Sequence, residues 1–166
     1  MTEFVDVVDE NDSFIKTVSR KESHEKWLLH RVVHVLIFNS AGQMYIQKRS
    51  QKMDTNPGLW TSSAAGHVTS GQSYLETAKR ETQEELGIKI ELEEVGTVVV
   101  HDPNHNQLIK IFSGLHDGPF DYNKEEIEIG EFLKVGKIKR EIRLTTRKFT
   151  LAFLEVFRKF CEVKGL

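Results

Sequence analysis

Three glutamates, Glu81, Glu84 and Glu85, stand within five residues of one another and directly follow Arg80. On an α-helix of about 3.6 residues per turn they fall within a sector of roughly 100°, so their carboxylates crowd together. Neighbouring like charges on a helix cost about 0.2–0.5 kcal/mol per pair, and something must compensate. A hard divalent cation does so. Mg²⁺ takes oxygen ligands and is commonly held by one or two carboxylates together with substrate phosphates, with Mn²⁺ as the alternative ion. The chemistry expected of such a cluster is metal-assisted cleavage at phosphorus. The competing reading is a solvated acidic helix face paired with Lys79 and Arg80. Context favours the metal: a run of small residues, SSAAGHVTSG, precedes the cluster at fixed spacing, and a merely solvated face has no need of that loop.

The elements that would position these groups are legible in outline. Ser73-x-x-Glu76 matches a capping box and Gly87 suits the left-handed residue that ends a helix, so a helix is predicted up to Leu86. Its sheet-packing face would carry Leu75, Ala78, Thr82 and Leu86. Phe4 to Val8 and Phe14 to Val18 alternate around a turn at Asp9 to Asp12, predicting a hairpin. Lys21 to Leu29 reads as a short helix. His30 to Asn39 is the strongest strand candidate, apolar on both faces, and Gln43 to Arg49 returns after a turn at Ser40 to Gly42. Asn56-Pro57-Gly58 breaks the chain. Further strands are expected at Glu91 to His101 and Leu108 to Leu115, with an amphipathic helix at Phe149 to Phe160. Mixed strands with few helices imply an α+β fold, a mixed β-sheet sandwiched between α-helices.

The segment Gly66 to Ile88, GHVTSGQSYLETAKRETQEELGI, resembles the Nudix box. Gly66, Arg80, Glu81, Glu84, Glu85, Gly87 and Ile88 match it at the right spacing. Gln72 departs from it, standing where a glutamate is usual, and Thr82 replaces an apolar residue. The resemblance implies the Nudix fold in one domain over residues 1–166, with residues 1–29 as an N-terminal hairpin and short helix and 66–88 as the box. It implies Mg²⁺-dependent hydrolysis of a diphosphate linkage in a nucleoside diphosphate derivative or a related small metabolite. Glu84 and Glu85 would hold the ion, Glu81 would be a ligand or orient the attacking water, and the Gly66 carbonyl would complete the shell. Arg80 would keep the glutamates in register by salt bridges. Gln72 cannot act as a carboxylate, so that duty is missing or reassigned. A catalytically weakened binding or regulatory protein is therefore an alternative.

Outside the box, HRVVHVLIFNSAGQMYIQKRS and NPGLWTSSAAGHV, together with FVDVVDEND, resemble the branch of the family that includes isopentenyl-diphosphate isomerase. There a catalytic cysteine precedes the Gly-His pair; Ala65 stands here, which disfavours isomerisation. That branch also binds a metal through histidines. His30 and His67 match two of them, while Ser23 occupies the third position with His24 one residue off. The plainer reading has His30 capping a strand and His67 lining the pocket floor, and the carboxylate helix is the better metal site. Arg49 matches a diphosphate-contacting arginine and Lys52 sits near a second basic position; arginine's fork suits phosphate oxygens. Trp60 would stack on a base or prenyl tail, although packing beside the Pro-Gly turn is favoured. KEEIEIGE, Lys124 to Glu131, resembles the stretch where many Nudix proteins keep another carboxylate. Glu126 and Glu128 are candidates for metal ligand or base, against a default of a solvated strand edge. Lys139, Arg140, Arg143 and Arg147 read as a solvated face rather than an RNA patch, because no aromatics interleave with them.

Composition bounds the rest. A chain of 166 residues suits one domain, and 29% charged with 39% hydrophobic residues is ordinary for a globular protein. A net charge of −2 gives no global pull toward nucleic acid or an anionic membrane, so nucleic acid is disfavoured as a partner. Cys161, the single cysteine, forms no internal disulfide and reads as a packed thiol. No signal peptide and no run of roughly 20 apolar residues is evident. The expected partner is a small-molecule diphosphate and the expected location cytoplasmic, with a homodimer left open.

Overall fold

The computed structural model describes residues 1–166. The alternating segments at the start pair as an antiparallel hairpin, β1 (Phe4–Val8) and β2 (Phe14–Ser19). The Ser19 hydroxyl accepts the Glu22 N–H and opens α1 (Arg20–Glu25). This helix stops short of the predicted Leu29, because Lys26 and Trp27 leave helical geometry, Trp27 at φ 52°. The central strands β3 (His30–Phe38) and β4 (Gln43–Arg49) follow as expected, then two short strands, β5 (Trp60–Thr61) and β6 (Ala64–His67). After α2 (Tyr74–Leu86) come β7 (Glu93–His101), β8 (Asn106–Leu115) and β9 (Ile127–Lys134), then α3 (Val135–Leu144) and α4 (Leu151–Lys164).

The nine strands form one mixed sheet, with β3 at its centre. It runs parallel to β8 along its whole length and antiparallel to β1, β4 and β6. A strand surrounded this way must be apolar on both faces, which is what the valine- and isoleucine-rich run provides. One face of the sheet, carrying Val32, Leu36, Met44 and Ile46, packs under Phe153, Phe157 and Phe160 of α4. The other, carrying Val33, Val35 and Ile37, packs under Ala78 and Leu86 of α2. The fold is α+β, a mixed sheet between helices.

Some expectations need correcting. Leu75 is 41% exposed; the buried face of α2 is made by Thr77, Ala78, Thr82, Glu85 and Leu86. Thr82 tolerates this apolar setting because its hydroxyl donates to the Ala78 carbonyl at 2.7 Å. The acidic stretch after Lys124 becomes β9, paired antiparallel with β4. The basic segment forms α3, on which Lys139, Arg140 and Arg143 are exposed as expected while Ile138 is fully buried; Arg147 departs from the expectation, being half-buried and ion-paired with Glu131 and Glu141. The last helix starts at Leu151, where Thr150 caps it, instead of at Phe149. Cys161 is buried as expected, and no helix is long and apolar enough to cross a membrane.

Phe153 is the largest side chain in the core with no exposed surface. Phe153→Ala is expected to destabilise the protein by about 3–5 kcal/mol, read by urea denaturation; a loss below about 1 kcal/mol would contradict this packing.

Candidate active site

The capping box forms as expected. The Ser73 hydroxyl accepts the Glu76 N–H at 3.1 Å and the Glu76 carboxylate accepts the Ser73 N–H at 2.8 Å. At the other end, Gly87 takes φ 70°. With both ends fixed, α2 presents its glutamates to three different environments. Glu85 is 5% exposed and accepts hydrogen bonds from the Gln47 amide at 2.6 Å and the Ala65 N–H at 3.3 Å. The Glu81 side chain is 13% exposed and lies against Gly66, where a Cβ would land on its carboxylate. A side chain at this position would push the Glu81 carboxylate out of its place. The Glu84 side chain is 55% exposed. Arg80 sits 2.9 Å from Glu81 and 3.2 Å from Glu84, holding the cluster in register as expected.

Burial penalises the charged forms of these carboxyls. It pushes Glu81 up to about 7 against the pull of Arg80, with Glu84 and Glu126 adding to the rise. It pushes Glu85 well above the usual carboxylate range, reinforced by Glu81 and Glu126. Ionising both carboxyls would place more negative charge in this buried space than Arg80 offsets, so a further cation would favour their charged forms. Gln72 accepts from the Thr77 hydroxyl at 3.2 Å and from Arg80 Nε at 3.4 Å. It therefore positions the guanidinium without adding charge.

The carboxylates open onto a cleft of about 520 Å³ that also holds Gly66, His67, Arg49 and Glu126. The β4–β9 ladder shifts register between Lys48 and Arg49, and such a bulge re-aims the side chain beside it. Arg49 Nε and Nη2 donate to the Thr55 carbonyl and hydroxyl at 3.0 and 3.2 Å; no carboxylate binds it directly. Glu126 accepts from the Asn123 amide at 2.9 Å. Glu128 faces away and pairs with Lys48 at 3.2 Å. Lys52 does not line the cleft; it is exposed and pairs with Glu125 at 2.8 Å. Trp60 does not line it either, since it packs against the α4 core with the Arg147 guanidinium 4.0 Å over its ring.

Arg20 lines the cleft and was missed from sequence. Its nearest carboxylate, Glu3, is 3.6 Å away. The available signal was its position one helical turn before His24, had the histidine match been taken one residue later.

The histidines converge more fully than expected. His24, His30 and His67 each offer a ring nitrogen, and these atoms lie within 4.8 Å of one another. His24, not Ser23, is the third member; the Ser23 hydroxyl is spent on the Arg20 carbonyl at 2.7 Å. His24 Nε2 and His67 Nε2 are 3.1 Å apart, and His30 stacks on His67 with centroids 5.1 Å apart. His30 Nδ1 meets the Leu28 carbonyl at 2.8 Å. A carbonyl only accepts, so Nδ1 carries the proton and Nε2 is a bare lone pair. That Nε2 is buried with no partner. Burial first, and mutual repulsion second, brings His24 down to about 4 and His67 well below the usual imidazole value. Trp27 fastens α1 in place, donating its indole N–H to the Asp102 carbonyl at 2.8 Å and accepting from Asn106 at 3.1 Å.

A family model described as NUDIX domain matches residues 28–153. An isopentenyl-diphosphate Delta-isomerase of Serratia proteamaculans is 32% identical over 168 residues, covering 95% of this chain and 91% of its own. An uncharacterized Nudix hydrolase of Pseudomonas aeruginosa is 35% identical over 133 residues, covering 80% of this chain and 79% of its own. The crystal structure of DR0079 from Deinococcus radiodurans superposes with a TM-score of 0.83 at 24% identity, covering 95% of this chain and 98% of that one, a likeness of fold.

His34, bonded through Nδ1 to the Ser62 hydroxyl at 2.7 Å, is held down to about 3 by burial and then by Arg49. A depressed imidazole stabilises the fold above its unfolded value of 6.5, and that stability is lost as pH falls from there toward 3. Acidification from about pH 6.5 to about pH 5 should therefore cost about 2 kcal/mol through this one group. His34→Gln should remove that share of the slope in urea denaturation at the two pH values. An unchanged slope would show that His34 is not held neutral.

Proposed function

This chain belongs to the Nudix family and is a Nudix-type hydrolase, and from that premise we propose that it uses Mg²⁺, with Mn²⁺ as the alternative, to hydrolyse a diphosphate linkage in a nucleoside diphosphate derivative or a related small metabolite. The observation that carries the reading is the joint burial of Glu81 and Glu85 in one cleft with Arg20 and Arg49. Two carboxylates forced out of water beside a single guanidinium fit a site built for a further cation.

Glu81, Glu84, Glu85 and the Gly66 carbonyl would hold the ion. When bound, it supplies charge to offset that on the phosphoryl oxygens and acidifies a water. The remaining work falls to side chains of this chain. Arg20 and Arg49 bind the diphosphate oxygens; Arg49 is paired with no carboxylate, and Arg20 has only a long contact of 3.6 Å to Glu3. Glu126, fixed by Asn123, accepts the proton of the attacking water as its oxygen bonds to phosphorus and the bridging P–O bond breaks. Arg80, held by Gln72, Glu81 and Glu84, keeps the acidic groups aligned. Gln72 retains the positioning contact, which counts against a catalytically weakened binding protein. Isomerisation is disfavoured by Ala65, whose methyl group cannot transfer a proton.

The histidines support a second metal site. Three uncharged imidazoles, one with a buried and unpartnered lone pair, suit a softer divalent ion such as Zn²⁺. In this respect the sequence's preference for the carboxylate helix as the sole metal site is extended.

With Mg²⁺ present, phosphate release from a panel of nucleoside diphosphates is expected, and EDTA should abolish it. Glu84→Gln and Gly66→Ala should each lower the rate by about a hundredfold or more while leaving the melting temperature nearly unchanged. Wild-type rates in either variant would overturn the ligand assignment. Metal analysis after incubation with Zn²⁺ should find about one ion per chain, absent from His67→Ala; equal zinc in both proteins would remove the histidine site.

A further inference from the structure

Glu3 stands in the cleft and has no part in the cleavage chemistry described above. The chain holds it there firmly. Its backbone carbonyl accepts the Arg20 N–H at 2.8 Å, directly beyond the last β1–β2 pair, Phe4 with Ser19. On the other flank the Phe4 carbonyl accepts the Ser70 N–H at 2.8 Å, and Val5 bridges to Thr69. The segment is therefore sewn between the start of α1 and the turn that follows β6. Glu3, Arg20 and Thr69 all line the cleft.

The Glu3 carboxylate lies 3.6 Å from Arg20 Nη1, with the two side chains 35% and 47% exposed. That separation is too long for a hydrogen bond, so the contact leaves the donors of the guanidinium free. A phosphate can grip such a group with two parallel, charge-assisted bonds, whereas a part-exposed carboxylate at this distance holds it weakly. The pair is a resting arrangement that a stronger anion can displace. Glu3 also stands beside the acidic helix, since its charge bears on both Arg80 and Glu81. A diphosphate that reaches Arg20 therefore meets the Glu3 carboxylate as a like charge.

We infer that Glu3 is a resident competitor for the diphosphate: it holds Arg20 in the free protein, yields it when the diphosphate binds, and takes it back as the products leave. It acts through Arg20, as a positioning residue that limits how tightly the anion is held. The inference rests on the reading of Arg20 as a diphosphate-binding residue and adds the group that opposes it. Loss of an ion-pair partner of this exposure is worth roughly threefold in affinity, enough to measure.

The test titrates methylenediphosphonate, a diphosphate analogue whose bridge cannot be hydrolysed, into the full chain with Mg²⁺ by calorimetry, so that binding is read without turnover. Glu3→Gln keeps the size of the side chain and the backbone bonds of the segment, and should bind the probe about threefold more tightly than the original chain. Arg20→Gln should bind it at least about tenfold more weakly, and adding Glu3→Gln to that variant should recover little. A merely structural Glu3 predicts the opposite sign, a weaker site once it is replaced. Weaker or unchanged binding in Glu3→Gln, an equal gain with and without Arg20, or no binding by the original chain overturns the inference. Phosphate release from the nucleoside diphosphates tests the hydrolase reading separately: tighter binding through Arg20 without any release leaves the inference standing and removes that reading instead.

Discussion

The costliest feature of this molecule is the placement of two carboxylates, Glu81 and Glu85, out of water on one helix. Their own desolvation raises both, and Glu81 adds to the rise at Glu85. Folding tolerates this because every neighbouring element supplies a partner. Gln47 from β4 and the Ala65 N–H from β6 bind Glu85, and Arg80 binds Glu81. These partners are neutral except for one guanidinium, so the cluster stays short of positive charge. That shortage is what a divalent cation would fill, and it connects the packing of the helix to the chemistry of the cleft.

The rest of the architecture holds the geometry still. α2 is fixed at both ends by its capping box and Gly87, and its inner face is locked onto the sheet by Ala78 and Leu86. Gly66 lets β6 pass close enough for Glu81 to lie against it. On the far side, Trp27 ties α1 to the turn between β7 and β8, which brings His24 and Arg20 to the cleft from a segment remote in sequence. Anionic and cationic groups then face the same space, as a diphosphate with its metal requires.

What was readable in the sequence was local or strongly periodic. The capping box, Gly87 and the doubly apolar β3 each declare themselves over a few residues, and the glutamate spacing followed from the helix. What was not readable depended on distant pairings. β9 alternates glutamate with isoleucine and looks solvated until its ladder with β4 is seen. The orientation of Trp60 is decided by Arg147, and the third histidine by a contact across 43 residues between His24 and His67. Ser23 held the matched position, yet the register of α1 turns its hydroxyl back onto the helix. Lys52 sits close to Arg49 in sequence, but the bulge that serves Arg49 leaves it paired with Glu125 outside the cleft.

The most direct test of the carboxylate site is a crystal of the protein soaked in Mn²⁺, with the ion located by its anomalous signal. A peak within coordinating distance of the Glu81, Glu84 or Glu85 carboxylates and the Gly66 carbonyl is the predicted result. Carboxylates that remain bonded only to Gln47, Ala65 and Arg80 at saturating Mn²⁺ would contradict it.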